Sequence, residues 1–130
     1  MYRFITIILI FIVIIGCSND PKKNSSKKSR IEFESVVHDF GKIDFGSEAV
    51  CEFRFSNISN KRLIINKVKA DCGCTTPDWP KEPFEPGMGG VIKVKYNTKT
   101  SGIFRKNITV YSNAINSPLK LNIIGEVKPQ

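Results

Sequence analysis

Apolar residues recur at every second position through VCEFRFSN, residues 50–57. Cys51, Phe53 and Phe55 share one side, and Glu52, Arg54 and Ser56 the other. A period of two sends alternate side chains to opposite faces of an extended backbone, so this stretch predicts a strand with one buried and one wetted face. The alternation returns in VIKVKYN (91–97), with Ile92, Val94 and Tyr96 inward and Lys93 and Lys95 outward. FRKNITVYS (104–112) sets Ile108 and Val110 on one face, and LKLNIIGEV (119–127) does the same with Leu119, Leu121 and Ile123. IEFESVV (31–37) and RLIINKVKA (62–70) read as further strands, and Gly41 and Gly46 mark turns between them. SNISNKR (56–62), NTKTSG (97–102) and SNAINSP (112–118) read as hairpin loops. No stretch carries the spacing of a long amphipathic helix. The fold expected is therefore all-β: an immunoglobulin-like antiparallel sandwich of about seven strands over residues 31–130.

One connection stands apart. PDWPKEPFEPGMGG (77–90) holds Pro77, Pro80, Pro83 and Pro86, the last three at every third residue. That spacing suits a polyproline ligand for an aromatic groove, but a stiff crossover between the two sheets explains it without a partner. Trp79 and Phe84 beside the prolines could form an exposed aromatic patch for a partner, but Trp79 is expected to pack under its own loop.

The amino-terminal end belongs to another regime. Phe4 to Ile15 is a run of 12 residues, apolar but for Thr6, short of the ~20 residues a spanning helix needs and within the roughly 7–15 of a secretory signal core. IIGC (14–17) resembles the lipobox of bacterial lipoproteins. That resemblance implies that residues 1–16 are a cleaved signal peptide, that Cys17 takes a diacylglycerol on its sulfur, and that the new terminus is acylated, with palmitate the expected chain. SNDPKKNSSKKSR (18–30) has no large apolar residue, so residues 17–30 read as the lipidated cysteine and a flexible tether. The chain's net charge of +8 is concentrated there: residues 18–30 hold five Lys and Arg against one Asp, while residues 31–130 hold fourteen against eleven. Such a tether suits an anionic membrane surface. No basic patch interleaved with aromatics appears, so no nucleic-acid partner is expected.

HDFGKI, CGCTTPDWPKEPFEPG, GIFRKNITVYSNA and the closing LNIIGEV resemble the bacterial family known as domain of unknown function 1573, from about Phe33 to Val127. The resemblance implies an exported protein, often lipid-anchored in the Bacteroidetes, with an immunoglobulin-like fold and no settled activity. It extends more loosely to major-sperm-protein and Hydin-type domains. The chain departs from the family pattern at Cys51, which has no placed counterpart, and at TKTS (98–101), where Gly-Arg is expected before Gly102.

Cys72 and Cys74, separated only by Gly73, carry what chemistry the sequence offers. Residues i and i+2 of an extended chain face the same way, and Gly73 permits close approach. Three readings stay open. In the first the thiols are buried packing, or one of them pairs with Cys51 in the oxidising envelope. Cys51, Cys72 and Cys74 with His38, the single histidine, make up the count of a Cys₃His zinc or copper site. Or Cys72 and Cys74 bridge each other, in a small strained ring that exchanges readily. The motif offers no basic residue to lower a thiol pKa, and Asp71 beside Cys72 would raise it.

No phosphate loop, carboxylate pair or nucleophilic triad is present, so no enzyme is expected. The sequence reads as a lipid-anchored, non-catalytic binding or scaffold module of the bacterial cell envelope that needs no cofactor. Its anchor places it at a membrane, the outer one by preference, with the domain in the periplasm or at the cell surface and a protein partner there. The alternative is a copper, zinc or thiol-redox accessory built on Cys72 and Cys74.

Overall fold

The computed structural model describes residues 29–130; Cys17 and the apolar run before it lie outside the described residues. Eight strands follow in order: β1 (Ile31–Phe33), β2 (Val37–Ile43), β3 (Ala49–Asn57), β4 (Ile65–Ala70), β5 (Thr75–Asp78), β6 (Gly89–Tyr96), β7 (Gly102–Ser112) and β8 (Leu119–Val127). They form two four-stranded sheets, ordered β1-β3-β6-β5 and β2-β8-β7-β4. The sandwich is the one the alternation predicts. Cys51, Phe53 and Phe55 share one apolar core with Ile108, Val110, Leu121 and Ile123 of the other sheet, with Ile92 and Val94 beside them. Burying an aliphatic side chain of this size stabilises by roughly 1.5–3 kcal/mol, which is why the period-two pattern governs the architecture.

The connectivity differs from the expectation in four places. IEFESVV is not one strand: after Phe33 the chain bends, Ser35 hydrogen-bonding the Val37 carbonyl at 2.8 Å, and crosses to the other sheet. Because it crosses, β2 arrives beside β8 running parallel to it, whereas the other strand pairs among the described residues are antiparallel. SNISNKR and NTKTSG are not hairpin loops, since each carries the chain from one sheet to the other; only SNAINSP joins neighbours. The proline-rich segment, expected to cross between sheets, instead links β5 to β6 within one sheet. TTPD pairs as β5 despite Pro77, because an edge strand needs donors on one side only.

Two side chains fix these connections. Asn57, fully buried, donates through Nδ2 to the Lys61 carbonyl (2.6 Å) and the Phe84 carbonyl (3.0 Å), and its Oδ1 accepts from the Ser59 N–H (3.1 Å) and hydroxyl (2.7 Å). Phe84 turns into the core from the proline loop, edge-on to Phe55 at 5.0 Å. Its backbone exchanges two hydrogen bonds with Leu63. Trp79 packs against the core as expected, with the Lys81 ammonium over its ring.

The sandwich has two distinct ends. At one, Ser29 is buried, hydrogen-bonds Asn113 and pairs with Ala114, so the packed unit already includes Ser29 just ahead of Ile31, which pairs with Asn57. At the other, Ala49 and Thr75 flank Tyr96.

Candidate functional site

At that second end β4 stops in one sheet and β5 starts in the other, both of them edge strands, and residues 71–74 carry the chain across. Backbone bonds pin the crossing. The Asp71 N–H donates to the Asn107 carbonyl (3.1 Å), the Asn97 N–H to the Cys74 carbonyl (2.8 Å), and the Thr75 N–H to the Cys72 carbonyl (3.3 Å). The Asp71 carboxylate is held by Asn107 Nδ2 at 2.8 Å. This tight turn brings the Cα atoms of Cys72 and Cys74 to 5.3 Å, and their sulfurs are bonded to each other. Gly73 is exposed, its φ lies outside the left-handed region, and a Cβ there would meet open space, so the turn does not depend on glycine.

Beneath the bridge lies the buried hydroxyl of Thr75, 3.8 Å from Cys72 Sγ and 3.7 Å from Cys74 Sγ. Disulfide sulfurs carry no proton, so the hydroxyl is the donor, its single proton shared between the two. Beside Cys74 opens a cleft of about 450 Å³, walled by Gly73 and Thr76 on one side and by Lys95, Tyr96 and Lys99 with the 46–48 loop on the other. The loop is held by Thr98, whose buried hydroxyl donates to the Ser47 carbonyl at 2.5 Å, and by the Gly46 N–H to the Thr98 carbonyl at 3.2 Å. Tyr96 stacks on Phe104 at 3.9 Å.

The other candidates are elsewhere. Cys51 lies on β3 with its side chain in the core, opposite Val94, and is a free thiol. It does not pair with Cys72 or Cys74, because these two close on each other within their own turn. His38 sits on β2 in the opposite sheet, half-buried and edge-on to Phe40 at 4.5 Å. The proposed Cys₃His set therefore does not converge, and among the described residues no group of three or more His, Cys, Asp or Glu is placed to hold a metal ion. The turn's chemistry was read from the motif alone; the structure adds Thr75, next in sequence to Cys74, and Lys95 and Lys99, from the end of β6 and beyond it. Their only sequence signal was the outward position of Lys95 in VIKVKYN.

Burial pushes the Cys51 thiol up from its ordinary 9.0 to about 11. In native protein Cys51 is therefore expected to resist maleimide at neutral pH and to react at once in denaturant. The unfolded chain loses this proton first, so the neutral thiol's contribution to stability is complete below pH 9 and is lost as pH rises from 9 towards 11. Alkylation kinetics across that range would measure both; native labelling at pH 7 as fast as in denaturant would refute the burial.

Residues 31–127 match the model of a family described as a protein of unknown function, DUF1573. A protein of unknown function from Porphyromonas gingivalis W83 is similar in structure, with a TM-score of 0.69 at 15% identity over 83% of this chain and 51% of that one. The chain thus spans about half the length of that relative. The PapD-like domain 7 of human CEP192 gives a TM-score of 0.66 at 7% identity, over 79% of this chain and 88% of that one. A Caenorhabditis elegans major-sperm-protein family member, WR4, gives 0.50 at 8%, over 77% and 99%. At these identities the likeness is one of fold. No curated protein matches the chain in sequence.

Proposed function

Because the chain belongs to the DUF1573 family, described as of unknown function, its role has to be read from its own surface, and we propose a lipid-anchored, non-catalytic binding or scaffold module of the bacterial envelope that takes up a protein partner along the open edge of β3. The observation that carries this reading is the shortness of β1. It pairs with β3 only from Phe55 to Asn57, and the last contact on that side is the Glu34 N–H to the Arg54 carbonyl at 3.0 Å. By the parity of an antiparallel ladder, Val50 and Glu52 point their N–H and C=O groups to the same side, where no strand of the described residues lies. A row of such groups is a template for an added strand.

The remaining edges are blunted. β2 and β4 carry register shifts at Asp39/Lys42 and Ile65/Lys67, and β5 is four residues long with Pro77 in it. Apolar surface lies along the open side. Val50 is 43% exposed, and a groove of about 370 Å³ beside β1 draws its lining from Phe33, Val36, Ile58 and Leu119. The lipid anchor at Cys17 would hold this edge at the outer membrane, facing the periplasm or the cell surface.

A photocrosslinking residue at Val50 is expected to give a discrete protein adduct in intact cells, and one at Thr109, on the opposite sheet, to give none. Glu52→Pro should abolish the Val50 adduct while the protein stays folded, since its N–H serves the open edge and not the β6 ladder. Equal adducts at both positions, or an adduct indifferent to Glu52→Pro, would overturn the assignment.

A further inference from the structure

The Cys72–Cys74 bridge does little as a staple. It joins residues with one between them, and chain-entropy stabilisation shrinks with the length of the loop closed. The turn is already held by three backbone hydrogen bonds and by Asn107 on Asp71. Both cysteines are half-exposed, and accessible bridges are the ones that exchange. Its surroundings suit that exchange. Cys74, not Cys72, lines the cleft, where Lys95 and Lys99 against the single carboxylate of Glu48 leave a net positive charge, and the buried Thr75 hydroxyl has the two sulfurs as its hydrogen-bond partners. A bridge sulfur is a weak acceptor, whereas a thiolate is a strong one. The hydroxyl is thus better matched to the reduced state than to the oxidised one.

We infer that Cys72–Cys74 is an exchangeable disulfide that accepts two electrons from a dithiol partner entering the cleft beside Cys74. A partner thiolate attacks Cys74 Sγ; the new S–S bond forms as the Sγ–Sγ bond to Cys72 breaks, and Cys72 leaves with the electron pair as a thiolate. Thr75 Oγ1 donates to that thiolate until water protonates it. The partner's second thiol, deprotonated, then attacks the partner's own sulfur and releases Cys74, which takes the second proton. The partner ends as a disulfide and Cys72 and Cys74 as thiols, two electrons and two protons having moved. Lys95 and Lys99 favour the approach of the anionic nucleophile. The inference does not rest on the β3 edge, and Glu52→Pro should leave it unaffected.

The test uses the full processed chain. Dithiothreitol under native conditions is expected to free Cys72 and Cys74 while Cys51 stays protected, with the melting temperature nearly unchanged and oxidation restoring the bridge. Glutathione, an anionic monothiol, should be trapped on Cys74 rather than Cys72 in peptide mass mapping. Lys95→Gln with Lys99→Gln should slow glutathione more than neutral dithiothreitol. Thr75→Val should slow reduction about tenfold, the equivalent of one hydrogen bond to a charged group, and Thr75→Ser should restore the rate. A bridge that yields only on unfolding, a collapse of the melting temperature on reduction, glutathione on Cys72, or a Thr75→Val protein reduced at the wild-type rate would each overturn it.

Discussion

Replacing Asn57 with alanine is expected to lower stability by about 3 kcal/mol, a fall in melting temperature of roughly 15 °C for a domain of this size. The fully buried side chain makes four hydrogen bonds, two given and two accepted. Each is worth about 1 kcal/mol when made. They tie three pieces of chain that no ladder joins: the end of β3, the 58–62 crossover and the proline loop at Phe84. Asn57 also anchors the loop through its backbone, its N–H donating to the Met88 carbonyl and its carbonyl accepting from the Gly87 N–H. These backbone bonds survive the substitution, so the loss should be large without abolishing the fold. Ser59→Ala, which leaves the Asn57 amide intact, is expected to cost about 1 kcal/mol. Denaturant titration of the two variants would separate them; equal losses would mean that Asn57 is not the hub.

Cys17→Ser is expected to abolish acylation and release the protein from membranes. Two forces would hold the wild-type chain there. Five cations between residues 18 and 30 contribute about 1 kcal/mol each near an anionic surface and are screened by salt. Acyl chains contribute about 0.8 kcal/mol per buried methylene, so ten methylenes already amount to roughly a millionfold in partitioning, at any ionic strength. A high-salt wash decides between them. Wild-type protein should stay with the membrane and leave only in detergent, whereas Cys17→Ser should be washed off and lack the added lipid mass. Wild-type protein with its first methionine intact, no lipid and a cytosolic location would remove the anchor and the compartment together.

The strands were legible because their signal is local. Cys51, Phe53 and Phe55 alternate with charged neighbours whichever strand lies beside them, and the core follows from that parity. Which sheet each strand joins was not legible. Residues 56–62 and 97–102 carry the same Asn, Ser, Lys and Gly that make hairpins, and only the distant partners, β7 for β4 and β8 for β7, show that the chain switches sheet there. β5 escaped notice because Pro77 argues against a strand wherever both sides must donate. The cysteine motif was legible as a pair but not as a bridge. Its separation permitted packing, metal binding or closure, and what distinguishes them, the turn that brings the two Cα atoms to 5.3 Å and the placement of Cys51 and His38 elsewhere, is contributed by folding.

The polarity of the molecule has one more implication. Ser29 enters beside Ala114 and Asn57, whereas Cys72 and Cys74 lie past Ala49, so the whole of β3 separates the point of attachment from the sulfurs. Nine extended residues reach roughly 30 Å. A protein leashed through its leading segment would therefore be joined to its anchor at the end of the sandwich opposite the sulfurs, which leaves the cleft beside Cys74 clear of the point of attachment.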